Sequence, residues 1–181
     1  MLEQDQDMDP IPSEPTGRLA YCSLLLVLLL LGPSVTIPPD MSLIIYPRSP
    51  RETMCGWMHL PRYIDKIRLQ LTGQLPADYR DNFGKGFDEK WLKAAGVTHE
   101  QMIDVVRASV TDGQVADWVA RNVKKSEADK KAHRESMLNY PRPDDEAMQA
   151  RLKMRKEQNG LAHRHDIKSF VDFIDADEKR S

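Results

Sequence analysis

The chain has 181 residues and a formal net charge of −2 at pH 7, with 40% hydrophobic and 30% charged residues. That length suits one ordinary domain with or without a tail, and so weak a charge balance compels no polyanion partner, so nucleic acid is not expected to bind. The two cysteines, Cys22 and Cys55, have no metal-type spacing, and Cys22 lies in an apolar run outside the expected domain, which excludes a disulfide framework and a cysteine zinc site.

Residues 1–40 read as an N-terminal extension. They hold six acids against one base, Arg18, and contain the apolar run 19–32, which stops at Pro33. A bilayer core needs roughly 20 apolar residues, a length the run approaches only if it continues across Pro33 to Ile37. Its long acidic lead and the absence of an A-x-A site fit a secretory signal poorly. Met41 follows Pro38-Pro39-Asp40 and reads as the natural start of a cytoplasmic domain, residues 41–181, with 1–40 produced by a mis-annotated start. The alternatives are a signal peptide or a single membrane anchor through residues 19–37. Acids before that anchor and Arg48 and Arg51 after it would leave the domain on the cytoplasmic side.

From Met41 the elements are helical. Ser42–Tyr46 is a short extended arm. Ser49-Pro50-Arg51-Glu52 has the form of a capping box with proline at the first helical position, so a short helix is expected there, broken by Gly56 and Pro61. Leu60, Ile64, Ile67 and Leu71 then recur at helical spacing, with Gly73 as C-terminal cap. Residues 74–86 are a loop. Phe87–Ala95 is a short helix closed by Gly96. Thr98 and Thr111 open capping boxes whose helices turn Met102, Val105 and Val106, and Val115, Trp118, Val119 and Val123, inward. The segments from Ser126 to Leu138 and from Asp144 to Asn159 are charged, with little apolar face, and are expected to protrude as a charged helical hairpin near 126–159. Asp166 is placed to cap a last helix carrying Ile167, Phe170, Val171 and Ile174. No segment alternates over strand length, so the fold class is all-α: a compact multi-helix domain with short helices.

Three arginines, Arg48, Arg51 and Arg62, bracket the first capping box. Free N–H groups and the positive dipole end of a helix start, joined by guanidinium groups and by Lys66, would make an anion-accepting site. The competing reading pairs these arginines with Glu52, Asp65 and the C-terminal acids. Asp65, Asp172 and Asp175 are secondary candidates, since converging carboxylates serve acid–base chemistry. His59 is another, because it lies beside the Gly56 break. Cys55 has no recognisable histidine partner and is expected to be buried and inert. His163 and His165 lack further ligands at zinc spacing. Asn82-Phe83-Gly84-Lys85-Gly86 resembles a phosphate loop only superficially and is expected to be a turn. Acids interspersed among Lys124–Lys156 dilute any basic face, leaving solvated helices.

Four segments together carry a family resemblance: Tyr46–Glu52, Leu60–Arg68, Asn82–Asp88 and Phe170–Glu178. In this order they resemble the bacterial family catalogued as domain of unknown function 5069, over about residues 44–179. The family has no assigned activity, so the resemblance transfers no catalytic residue. Its members often have a Leu-Gly-Gly-like segment where this chain has Met54-Cys55-Gly56, which implies that no thiol is required.

These readings converge on a small helical domain that binds a small anion or a protein partner. No catalytic motif, cofactor or metal site is identified. An enzyme using His59 or the clustered carboxylates is the rival, and a membrane-tethered form a third reading.

Overall fold

The computed structural model describes residues 45–180. Residues 1–44, including the run 19–32 and the segment to Ile37, lie outside the described residues. Among those described, no helix is long and apolar enough to cross a membrane.

Eight helices and one small hairpin make up the described chain: β1 (Thr53–Met54), β2 (Trp57–Met58), α1 (Leu60–Leu71), α2 (Ala77–Arg80), α3 (Phe87–Ala95), α4 (His99–Arg107), α5 (Asp112–Asn122), α6 (Glu127–Leu138), α7 (Glu146–Gln158) and α8 (Phe170–Asp177). The fold class is all-α.

The hairpin replaces the helix expected at Ser49. Ser49 Oγ accepts from Arg51 N–H at 3.1 Å and the Ser49 carbonyl accepts from Glu52 N–H at 3.2 Å, so the apparent capping box closes a turn and starts no helix. The strands pair antiparallel, Met54 opposite Trp57. Between them Cys55 (φ 53°) and Gly56 (φ 77°) are both left-handed, as a two-residue type I′ hairpin turn requires. His59 (φ 74°) is left-handed as well and turns the chain into α1, with Pro61 in the first turn.

Helix α1 is the centre of the domain. Leu60, Tyr63, Ile64 and Ile67 are fully buried, whereas Leu71, expected on the same face, is largely exposed at the last turn. Gly73 N–H donates to Gln70 O and Gln74 N–H to Leu69 O, a Schellman ending with Gly73 left-handed. Around the buried face pack Trp57, Trp91, Met102, Val106, Val115 and Val119. Trp57 meets Trp91 edge to face at 6.2 Å.

The capping boxes at Thr98 and Thr111 form as expected, and Ser126 makes a third with Asp129. The last two caps sit later than anticipated: α7 is capped by Asp145 and α8 by Ser169, with Asp172 completing its box. Helix α6 does not protrude. It packs on β2 and α3, His133 Nε2–H donating to Met58 O (3.2 Å) and Met137 joining Met58 and Val171 in a small core of their own. Helix α7 contributes a single buried residue, Leu152, to a third cluster with Ile167, Phe173 and Ala176.

Candidate functional site

Helix α1 turns Arg62 and Lys66 into contacts nearly as buried as its apolar residues, and Asp65 into a partly buried one. The three each reach a different segment.

Asp65 receives Arg48 from the N-terminal arm: both carboxylate oxygens accept from the guanidinium, at 2.8 and 2.7 Å, and Oδ2 also accepts from Arg48 N–H at 2.9 Å. The remaining Arg48 nitrogen reaches Asp112 at the start of α5 (2.7 Å), and Asp112 is shared with Arg68 (2.6 Å). These carboxylates, above all the hydrogen-bonded Asp65, hold the Arg48 pKa up against its partial burial.

Arg62 reaches the opposite end of the chain. It donates to both oxygens of Glu178 (2.9 and 2.5 Å) and to the carbonyls of Pro47 and Arg48. Tyr79 and Arg180 also hydrogen-bond Glu178. Burial alone would raise the Glu178 carboxyl, but the Arg62 guanidinium and the two further donors hold it below the usual range.

Lys66 meets the third segment at Asp88. The Asp88 carboxylate is completely buried and accepts from Lys66 and from Gly84 N–H (3.0 Å) on one oxygen, with His59 Nε2 2.7 Å from the other. Burial opposes its charge, and the His59 hydrogen bond with the Lys66 ammonium overcomes that and keeps Asp88 ionised. Burial pulls Lys66 down and its attraction to Asp88 offsets part of this; a carboxylate with three donors is the ionised anchor of the set. Burial likewise keeps His59 neutral, so its Nε2–H donates to Asp88, leaving the Nδ1 lone pair without a partner. The Asn82–Gly86 segment is thus a loop that wraps an internal carboxylate. Lys66 also donates to Asn82 O (3.4 Å).

Arg51 is the outlier of the group. It leaves the Ser49–Glu52 turn to pair with Asp172 and, at 3.2 Å, Asp175 on α8, and its side chain is 47% exposed. Asp172 Oδ2 in turn accepts from the N–H groups of Lys168 and Ser169, so Arg51 is tied to the start of α8.

The eight candidates are therefore brought together as one stitched shell around α1, each cation facing a carboxylate. Reading the sequence missed Asp88 and Asp112, and it offered Glu178 only as one of several C-terminal acids. Glu178 sat within a charged C-terminal run that reads as solvated. Asp88, in the first turn of α3, reads as a helix-dipole acid, and only the neighbouring glycines hinted at a loop folded back on it.

A second feature lies apart from that shell. A cleft of about 550 Å³ opens between the end of α6, one face of α7 and the connection into α8. Leu138, Leu152 and Ile167 give it apolar walls, and Lys153, Lys156 and Lys168 border it, with Glu157 the one acid of its lining. Lys156 donates to the carbonyls of Arg164 (2.6 Å) and Ile167 (3.3 Å). None of the three lysines has a carboxylate within 4 Å among the described residues, although Lys156 acts at longer range on Asp166, whose carboxyl is held low chiefly by Arg164.

A family model for a domain of unknown function (DUF5069) matches residues 44–180, and the chain belongs to that family. No curated protein matches the chain.

Proposed function

We propose that this DUF5069 domain binds a small ligand without transforming it, and that the ligand occupies the cleft between α6, α7 and the α7–α8 connection. A contrast in charge pairing carries the reading. Around α1, Arg48, Arg51, Arg62 and Lys66 each face a carboxylate, so an incoming anion would have to displace Asp65, Asp172, Glu178 or Asp88. Breaking either of the two buried pairs, Arg62–Glu178 or Lys66–Asp88, costs several kcal/mol, about 3–5. The cleft lysines require no such exchange, and its size falls within the range of small-molecule sites. Exposed Arg51 is the member of the arginine group at which exchange costs least.

Catalysis by His59 would need a route to a ring that is 2% exposed. Asp65, Asp172 and Asp175 are likewise engaged by arginines, which suits scaffolding better than proton transfer. The free Cys55 thiol suits the cytoplasmic setting expected from the sequence.

The test is to map amide resonances of the full chain during titration with a panel of small metabolites. Shifts should cluster at Leu152, Ala162 and Ile167, and Ala162→Trp, an exposed position on the cleft wall, should abolish them without unfolding the domain. Shifts confined to Arg48, Arg51 and Arg62 would return the site to the arginines, and no shift at either place would defeat the binding reading.

A further inference from the structure

We infer that the ligand of this cleft is an organic anion with an apolar body, of which a medium-chain carboxylate is the simplest form; the inference rests on the cleft being the binding site. Lys153 and Lys156 stand three apart on α7 and so share one face, while Lys168 comes from the facing connection into α8, so positive charge borders the cleft from two sides. Lys156 is held in place by two neutral carbonyls, which fix its ammonium without neutralising it and leave one N–H to donate. Glu157 returns one negative charge, so the lining keeps a net positive balance.

The apolar wall decides the rest of the ligand. Leu152 and Ile167 are buried in the cluster that also holds Phe173 and Ala176 and close the cleft floor from beneath, and the hydrocarbon open to a ligand is that of half-buried Leu138 and exposed Pro143 and Ala162. A bare inorganic anion would satisfy the lysines and leave this surface wet. A neutral amphipath would cover the surface and forgo the charge. An organic cation would meet like charge. A carboxylate on a hydrocarbon chain uses both halves, with its head toward Lys153, Lys156 and Lys168 and its chain along Leu138, Pro143 and Ala162.

Four probes test this on the full chain by resonance mapping: octanoate, octanol, octyltrimethylammonium and inorganic phosphate. Octanoate should shift Leu152, Ala162 and Ile167, and its Kd should weaken about tenfold in the exposed Lys153→Gln/Lys168→Gln double variant. Octanol should bind at least roughly tenfold more weakly than octanoate and be indifferent to that double variant, and the cation should not bind. Octanol binding as tightly as octanoate, or octanoate binding unaffected by loss of the two lysines, would overturn the anionic character while leaving the cleft as a site. Phosphate binding as tightly as octanoate would overturn the apolar body. If none of the four shifts these residues while another metabolite does, the ligand class falls and the cleft stands; if nothing shifts them, both fall.

Discussion

Arg62 and Glu178, 116 positions apart in the chain, form a bidentate ion pair with both side chains almost wholly withdrawn from solvent. The pair closes the domain, joining α1 to the end of α8, and Arg62 also holds the arm through the carbonyls of Pro47 and Arg48. Removing one partner strands a charge. Arg62→Met and Glu178→Leu should therefore each destabilise the domain by about 3–5 kcal/mol. The double variant Arg62→Met/Glu178→Leu should lose clearly less than the sum of the two, because it leaves no unpaired charge. Urea denaturation of the four proteins of this cycle measures the coupling, and additive losses would show that the pair does not act as a unit.

The exposed member of the same arginine group gives the contrast. Arg51 pairs with Asp172 and Asp175 from a side chain that is half in water, and such pairs contribute about 0–1 kcal/mol. Arg51→Ala should lower stability by no more than that, and 1 M salt should erase much of the difference from wild type. A loss as large as that of Arg62→Met would mean that Arg51 sets the position of α8.

The arginines are legible in the sequence, and so are Asp65 and the C-terminal acids as their partners, but Asp112 is not, and the expected Glu52 pairing gives way to these. Helix periodicity and side-chain caps are local signals, and they located α1, α4, α5 and the last turn of α1 at Gly73 correctly. The Ser49–Glu52 pattern satisfied the same local rule and failed, because Pro47 and Arg48 are held from outside by Arg62 and the chain then turns back as a hairpin at Cys55-Gly56. Cys-Gly is not the Asn-Gly or Asp-Gly pair that marks a hairpin from composition. The Asp88 and Glu178 partnerships join positions far apart in sequence, and a single sequence has no local signal for them. The cleft was invisible for a further reason: its lysines occur among Lys and Glu residues of ordinary solvated helices, and only the packing of Leu152 and Ile167 turns that region into a concavity.

Stability should fall as the solution is acidified. His59 is buried neutral with its pKa below the ordinary 6.5, so below about pH 6.5 the unfolded chain takes up a proton that the folded protein refuses. The contribution is complete above 6.5 and is lost as pH falls toward the folded value. His133, also lowered by burial, adds in the same direction. Asp88, lowered from 3.8, adds a further loss below that pH. Urea midpoints measured from pH 7 to pH 5 should decline, and His59→Gln should flatten the slope while lowering stability at pH 7. An unchanged slope in that variant would mean that folding does not lower the proton affinity of His59.

Gly84 and Gly73 share a left-handed φ of 71° yet should respond differently to alanine. A Cβ on Gly73 meets nothing within 4 Å, so Gly73→Ala carries the backbone penalty alone, about 1–2 kcal/mol. A Cβ on Gly84 would lie 2.7 Å from His99 Cε1, a ring stacked on Tyr63, edge-on to Phe83 and hydrogen-bonded to the Tyr63 hydroxyl. The ring cannot retreat without giving up those contacts, and the Gly84 N–H that caps Asp88 would move with the loop. Gly84→Ala should thus cost at least roughly 1 kcal/mol more than Gly73→Ala. Equal losses would show that the loop absorbs the methyl group without disturbing Asp88.

Cys55 closes the hairpin in a left-handed conformation (φ 53°) that costs a side chain about 1–2 kcal/mol. Glycine removes that strain and adds backbone entropy to the unfolded chain, roughly 0.5–1 kcal/mol in the other direction. The thiol offers little to set against the exchange: a weak 3.5 Å contact to Ala116 O, and a pKa raised by burial that disfavours the thiolate. Cys55→Gly should therefore stay within about 1 kcal/mol of wild type, whereas Cys55→Val, β-branched at the same φ, should lose clearly more. Ligand binding in the cleft, which Cys55 does not line, should be unchanged in Cys55→Gly. A Cys22→Ser chain, in which Cys55 is the one thiol, should react slowly with a thiol reagent until urea unfolds it. Fast labelling of the native protein at neutral pH, or loss of binding in Cys55→Gly, would give the thiol a role that the hairpin geometry does not.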